Sequence, residues 1–194
     1  WAVPSIAGAQ CSTGDLDMNG VPEVCPAGSN YIEGTGAGET IRGTNGPDGI
    51  FGLGGDDLIR GRNGDDYICA GDGADEVVAG GDNDTIFGEG GNDDVGGGPG
   101  DDFIAGGDGV DVLQWAAGDD TVNGGAGNDQ IFGGAGADAL SGEDGDDSLS
   151  GGGGSDALSG GNGTDTLDGG GGTDTCVEEV PGSSERLTNC DVVT

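Results

Sequence analysis

The chain has 194 residues, with 38 acidic side chains against 4 basic ones, 50 glycines, no histidine and a formal net charge of −34. Without histidine, neither an HExxH zinc site nor a Ser-His-Asp triad can be assembled. The only cations are Arg42, Arg60, Arg62 and Arg186, too few to bind a nucleic-acid backbone, and no apolar run reaches the length of a membrane span.

Residues 1–33 form the first element, an N-terminal cap. The chain begins at Trp1 without methionine, which fits removal of a signal peptide. Between Cys11 and Cys25 lies Asp15-Leu-Asp17-Met-Asn19-Gly20, the D-x-D-x-N-G opening of an EF-hand-type calcium loop. Asp15, Asp17 and Asn19 stand at ligand spacing, Gly20 permits the sharp turn, and Glu23 holds the ninth position. The twelfth position is Pro26, so the bidentate glutamate of a full EF-hand is missing. The segment resembles the short, cysteine-bracketed calcium loops of thrombospondin type 3 repeats. An ordinary Asx-rich turn is the plain alternative.

Residues 34–177 are sixteen copies of one nine-residue phrase, G-G-x-G-x-D-x-U-x with U apolar, without insertion or deletion. The sixth position reads Glu39 and then Asp48, Asp57, Asp66, Asp75, Asp84, Asp93, Asp102, Asp111, Asp120, Asp129, Asp138, Asp147, Asp156, Asp165 and Asp174. The eighth position is apolar throughout, from Ile41 and Ile50 to Leu167 and Cys176. Nine residues are too few for a helical repeat, and the glycine content opposes a helix interior. The triplet x-U-x predicts a short strand with its middle side chain inward. The first six positions predict a turn in which glycine supplies the unusual backbone angles. Two phrases then make one coil, and alternate strands stack into two parallel sheets across a single file of aliphatic side chains. At strand spacing the rod is roughly 38 Å long. The fold class is therefore all-β, a parallel β-roll or β-solenoid with small caps.

This phrase is identified with the RTX calcium-binding β-roll family, which the chain resembles over about three quarters of its length. The resemblance implies calcium ions held between turns. The residues agree. Turns on one edge lie eighteen residues apart, as with Asp48 and Asp66 or Asp129 and Asp147. Each adjacent pair presents two carboxylates and several turn carbonyls, an all-oxygen set suited to a hard cation. About seven gaps per edge allow about fourteen ions, whose charge of about +28 would offset most of the −34. The core is a single file, so the metal-free chain is expected to be a disordered polyanion. The expected metal ligands are the fifteen repeat aspartates, with a weak or absent ion beside Glu39. The tenth phrase opens Trp115-Ala116 in place of Gly-Gly but keeps Gly118 and Asp120, so its ion is expected to survive.

Residues 178–194 drop the phrase and form the C-terminal cap. Cys176 lies fourteen residues before Cys190, as Cys11 lies fourteen before Cys25. The two pairs read as disulfide staples on the open ends of a solenoid, although four cysteines allow three pairings. Cys69 is left over. Disulfides together with a calcium requirement indicate an extracellular or cell-surface setting. Asp191-Val-Val-Thr194 faintly resembles a type I secretion signal, but five cysteines favour a general secretory route.

Outward positions carry the rest. Phe51, Cys69 and Phe87 at position nine and Tyr67 and Phe103 at position seven stack on one face, an apolar strip. Either the N-terminal segment with Trp1, Val3 and Ile6 covers it, or it is an interface to another copy or another protein. On the opposite face Arg42 and Arg60 stack one coil apart. Since the resemblance places catalysis in separate domains, the expected function is a non-enzymatic, secreted calcium-binding structural or interaction protein, forming homo-oligomers or filaments. An accessory module detached from a secreted hydrolase or epimerase is one alternative. A calcium-dependent ice- or polysaccharide-binding adhesin is another, although position three shows no regular threonine or asparagine column.

Overall fold

The computed structural model describes residues 29–177 and 186–193. Over that range it is a parallel β-solenoid with a ten-stranded sheet facing a nine-stranded one. The sequence register sets the pairing directly. Strand Phe103–Asp108 pairs in parallel with Thr121–Ala126, and Ile104 stands beside Val122, eighteen residues on. On the other side Val112–Gln114 pairs with Gln130–Phe132, placing Leu113 beside Ile131.

The file of eighth positions is buried in all sixteen copies, from Ile41 through Leu113 to Cys176, and Ile32 and Leu187 extend it at the two ends. Ala70, Ala79 and Trp115, at position one of their phrases, pack into the same file, so the core is little more than one side chain wide. Its continuity comes from the lockstep register.

Three features depart from the expected plan. The sheets begin at Asn30–Glu33, paired in register with Asp48–Phe51, four residues before the first full phrase. In the tail, Arg186–Thr188 pairs with Thr166–Asp168, and Val192 stands beside Thr175, so the chain keeps coiling after the phrase ends. Strands are also longer than x-U-x. Phe103–Asp108 runs through position three of the following phrase, with Gly107 beside Gly125. The turn is correspondingly compressed.

Compression explains the glycine at position four. Gly100 has φ 147°, and a Cβ placed there would lie 2.0 Å from the carbonyl oxygen of Asp82 in the preceding coil. Asp82, itself at position four, takes φ 79°, an angle that costs a non-glycine residue about 1–3 kcal/mol.

Cys176 and Cys190 form the expected disulfide, with Cα atoms 5.8 Å apart. Cys69 is also disulfide-bonded, which corrects its reading as the cysteine left over. Cys11, Cys25 and the pairing expected between them lie outside the described residues. Among the described residues, no helix is long and apolar enough to cross a membrane.

Candidate metal centre

All fifteen repeat aspartates are buried, with side chains at most 3% exposed. Position six stands two residues before the inward position eight, so alternation points it to the same side, and the turn holds it under its own coil. The reason is a ladder of hydrogen bonds along each edge. The backbone N–H of Asp66 donates to Asp84 Oδ1 at 2.8 Å, that of Asp93 to Asp111 Oδ1 at 2.8 Å, and that of Asp156 to Asp174 Oδ1 at 2.9 Å. Each carboxylate therefore uses one oxygen to hold the preceding coil in register.

The second oxygen does something else. In fourteen aspartates, from Asp57 through Asp174, Oδ2 is buried and accepts no hydrogen bond. A buried carboxylate oxygen with no partner is costly, and one such atom per half-coil is a systematic arrangement. Its surroundings are oxygen. A Cβ placed on Gly106 would lie 2.5 Å from both Asp111 Oδ2 and the carbonyl oxygen of Gly124. A Cβ on Gly107 would lie 2.0 Å from the carbonyl oxygen of Glu89. Turn carbonyls thus point along the rod from coil to coil beside the orphaned carboxylate oxygens.

Burial raises the carboxyl pKa along both edges, with like charge on neighbouring turns adding to it. Asp84 is pushed up to about 8, first by desolvation and then by Asp102 and Asp66. Asp66, Asp93, Asp138 and Asp147 reach about 7 and Asp120 and Asp129 about 6, desolvation again leading. The geometry calls for positive charge at Oδ2. Among the described residues, no three His, Cys, Asp or Glu side chains converge as a metal-binding group. A cation here must draw on backbone carbonyls as well as carboxylates, which is the donor chemistry of calcium. The residues fit that ion. Asp57, Asp66, Asp75, Asp84, Asp93, Asp102, Asp111, Asp120, Asp129, Asp138, Asp147, Asp156, Asp165 and Asp174 would hold it, and calcium would supply the missing charge.

Asp48 stands apart. Its Oδ2 accepts the backbone N–H of Thr44 at 2.6 Å and its Oδ1 accepts Asn30 Nδ2 at 2.9 Å. Glu39 likewise takes the Thr35 backbone N–H on its own Oε1. In the first two phrases the chain satisfies its own carboxylates. Asp120 keeps an unpartnered Oδ2 despite Trp115-Ala116.

A second ladder runs outside the first. At position five, Asp56 Oδ1 accepts the N–H of Ala74, Asp101 that of Asp119 and Asn128 that of Asp146, each eighteen residues on. Reading the sequence for positions six and eight passes over this ladder, although Asp or Asn occupies position five in eight of sixteen copies. The tail supplies one further rung, Asp191 Oδ2 accepting the Asp174 N–H at 3.0 Å.

The aromatic strip is real but is not an available surface. Phe51, Cys69 and Phe87 are 1%, 2% and 6% exposed within the single chain. They form a second hydrophobic cluster with Tyr31, Tyr67 and Phe103 packed against it. Ring centroids step along it at 5.4 Å from Tyr31 to Phe51, 6.2 Å to Tyr67, 5.6 Å to Phe87 and 5.8 Å to Phe103. Burial removes Phe51, Cys69 and Phe87 from the interface role the sequence suggested, and adds Tyr31 to the ladder. Trp1, Val3 and Ile6, and the Asp15, Asp17, Asn19 and Glu23 loop, lie outside the described residues.

The family described as the RTX calcium-binding nonapeptide repeat (4 copies) matches residues 33–68, 70–104, 97–114, 105–140, 116–149 and 141–176. Among curated proteins, none matches the chain.

Proposed function

The chain belongs to the RTX calcium-binding nonapeptide repeat family, and we propose that it is a secreted, non-enzymatic calcium-binding protein of structural or interaction character whose folding and calcium binding are one equilibrium. One observation carries this reading: fourteen buried aspartate oxygens without a hydrogen-bond partner. Each would cost free energy in a metal-free roll, and each gains a counter-charge when calcium binds. Because the sites consist of turns from successive coils, they exist only in the folded chain, so binding free energy becomes folding free energy. The disulfide at Cys176 and Cys190 supports an oxidising, extracellular setting, where calcium is abundant.

Circular dichroism of calcium-stripped protein at neutral pH tests the reading. A disordered spectrum that gains β signal cooperatively on titrating calcium is expected. A full β signal in excess chelator would refute it.

A further inference from the structure

We propose that two calcium-loaded copies of this chain pair antiparallel, face to face, through the outer surface of the nine-stranded sheet. The proposal rests on the calcium reading, since two unneutralised chains of −34 would repel.

The position-nine column on that face runs, in strand order, Arg42, Arg60, Val78, Gly96, Gln114, Phe132, Ser150, Asp168, Thr188. It contains a knob and a hole. Phe132 is 42% exposed and Val78 46%. Between Val78 and Gln114 the missing side chain of Gly96 leaves a notch of about 200 Å³, lined by Val78, Gly96, Gly97, Gly98, Gln114, Trp115 and Ala116. The Trp115 indole N–H is buried there without an acceptor. Gly96 is not needed for backbone reasons. A Cβ on it would meet nothing closer than the Val77 carbonyl oxygen at 3.7 Å.

Gly96 and Phe132 lie one strand either side of Gln114. A two-fold axis through Gln114 along the strand direction therefore sets Phe132 of each copy opposite the Gly96 notch of the other. The same operation sets Arg60 opposite Asp168 and Val78 opposite Ser150. In the position-seven column it sets Glu76 opposite Ser148, Asp94 opposite Gln130 and Val112 opposite itself. No like charges are directly opposed. The parallel alternative, with the axis along the rod through the same column, opposes Arg60 to Arg60 and Phe132 to Phe132, which is unfavourable in both charge and shape. An isologous contact of this kind closes as a dimer. Its strip is narrow, about half the area a standard interface contributes per partner, so the pair is weak and concentration-dependent.

Analytical ultracentrifugation in calcium, up to about millimolar protein, tests this, with circular dichroism confirming that each variant folds. Wild type should show a monomer–dimer equilibrium. Phe132→Ser and Gly96→Leu should each raise the dimer Kd by about tenfold or more. Arg60→Asp and Asp168→Arg should each weaken self-association, yet the two variants mixed should pair at near wild-type strength, because an antiparallel heterodimer restores one contact and keeps the other native. Folded wild type that stays monomeric, or a mixture without rescue, overturns the pairing and leaves the calcium reading intact. Absence of any calcium-induced fold would overturn both.

Discussion

Asp84 Oδ1 accepts the backbone N–H of Asp66 at 2.8 Å, while Asp84 Oδ2, on the same carboxylate carbon, is buried with no partner. One carboxylate thus does two jobs, holding coil register with one oxygen and leaving the other for a cation.

The division of labour predicts unequal consequences for the same substitution. Asp111→Asn keeps Oδ1 for the Asp93 N–H but replaces an orphaned anionic oxygen with an amide. It should lower calcium stoichiometry by about one or two ions and raise the calcium concentration needed for folding. Asp48→Asn acts on a carboxylate already satisfied by Thr44 and Asn30, so the ion count by equilibrium dialysis should stay at the wild-type value. Equal losses at both positions would contradict the assignment.

The pH dependence of the metal-free chain follows from the raised carboxyls. Asp84 titrates near 8 rather than the usual 3.8, and Asp66, Asp93, Asp138 and Asp147 near 7, with burial the leading cause. The folded roll therefore binds more protons than the unfolded chain between about pH 4 and 8. Its stability is fully present below about pH 4 and is lost as pH rises through the folded values. Calcium-stripped protein should gain β signal on acidification from pH 8 to 5. Protons and calcium compete for the same oxygens, so the calcium midpoint should rise over the same interval. A metal-free spectrum that does not change with pH would count against carboxylate repulsion as the barrier to folding.

Much of this was legible in the sequence because its two strictest columns are physical opposites, and a residue pattern of period nine leaves little choice of register. Aspartate at six and an aliphatic at eight fixed which side chains are buried, how strands pair and where cations are wanted. What escaped came from contacts, local and between coils, that the two strict columns do not encode. Thr44 captures Asp48 because its N–H turns inward. Asn30 and Tyr31 join the ladder although the phrase has not yet begun. The burial of Phe51 and Phe87 on a nominally outward column could not be read from alternation, which gives a side chain's direction and not what lies over it.

Glycine positions divide by what stands behind them. Gly100→Ala forces a Cβ within 2.0 Å of the Asp82 carbonyl oxygen at φ 147° and should destabilise the calcium-loaded roll by about 2 kcal/mol or more. Gly153→Ala meets nothing within 4 Å and should shift stability by less than about 0.5 kcal/mol. Denaturant titration in saturating calcium compares the two. Equal costs would mean that glycine is present for chain flexibility rather than for coil-to-coil approach.

The C-terminal staple should matter locally. The Cys176–Cys190 bond closes a fourteen-residue span, and loop-closure entropy assigns about 3 kcal/mol to such a bridge. Cys176 is itself the last buried member of the aliphatic file, so Cys190→Ser is the cleaner probe. It leaves a small buried hydrophobe in place and removes only the tether. Among the described residues, the strands it anchors, Arg186–Thr188 and Val192–Val193, each pair on one side only, with Thr166–Asp168 and Thr175–Cys176. Hydrogen exchange should therefore accelerate in these two strands and in Thr175–Val177 while mid-roll amides around Leu113 keep their protection. Non-reducing peptide mapping of the same variant should still find Cys69 in a disulfide. Uniform loss of protection along the rod would show instead that the staple holds the whole solenoid, as one cooperative unit rather than a stack of coils.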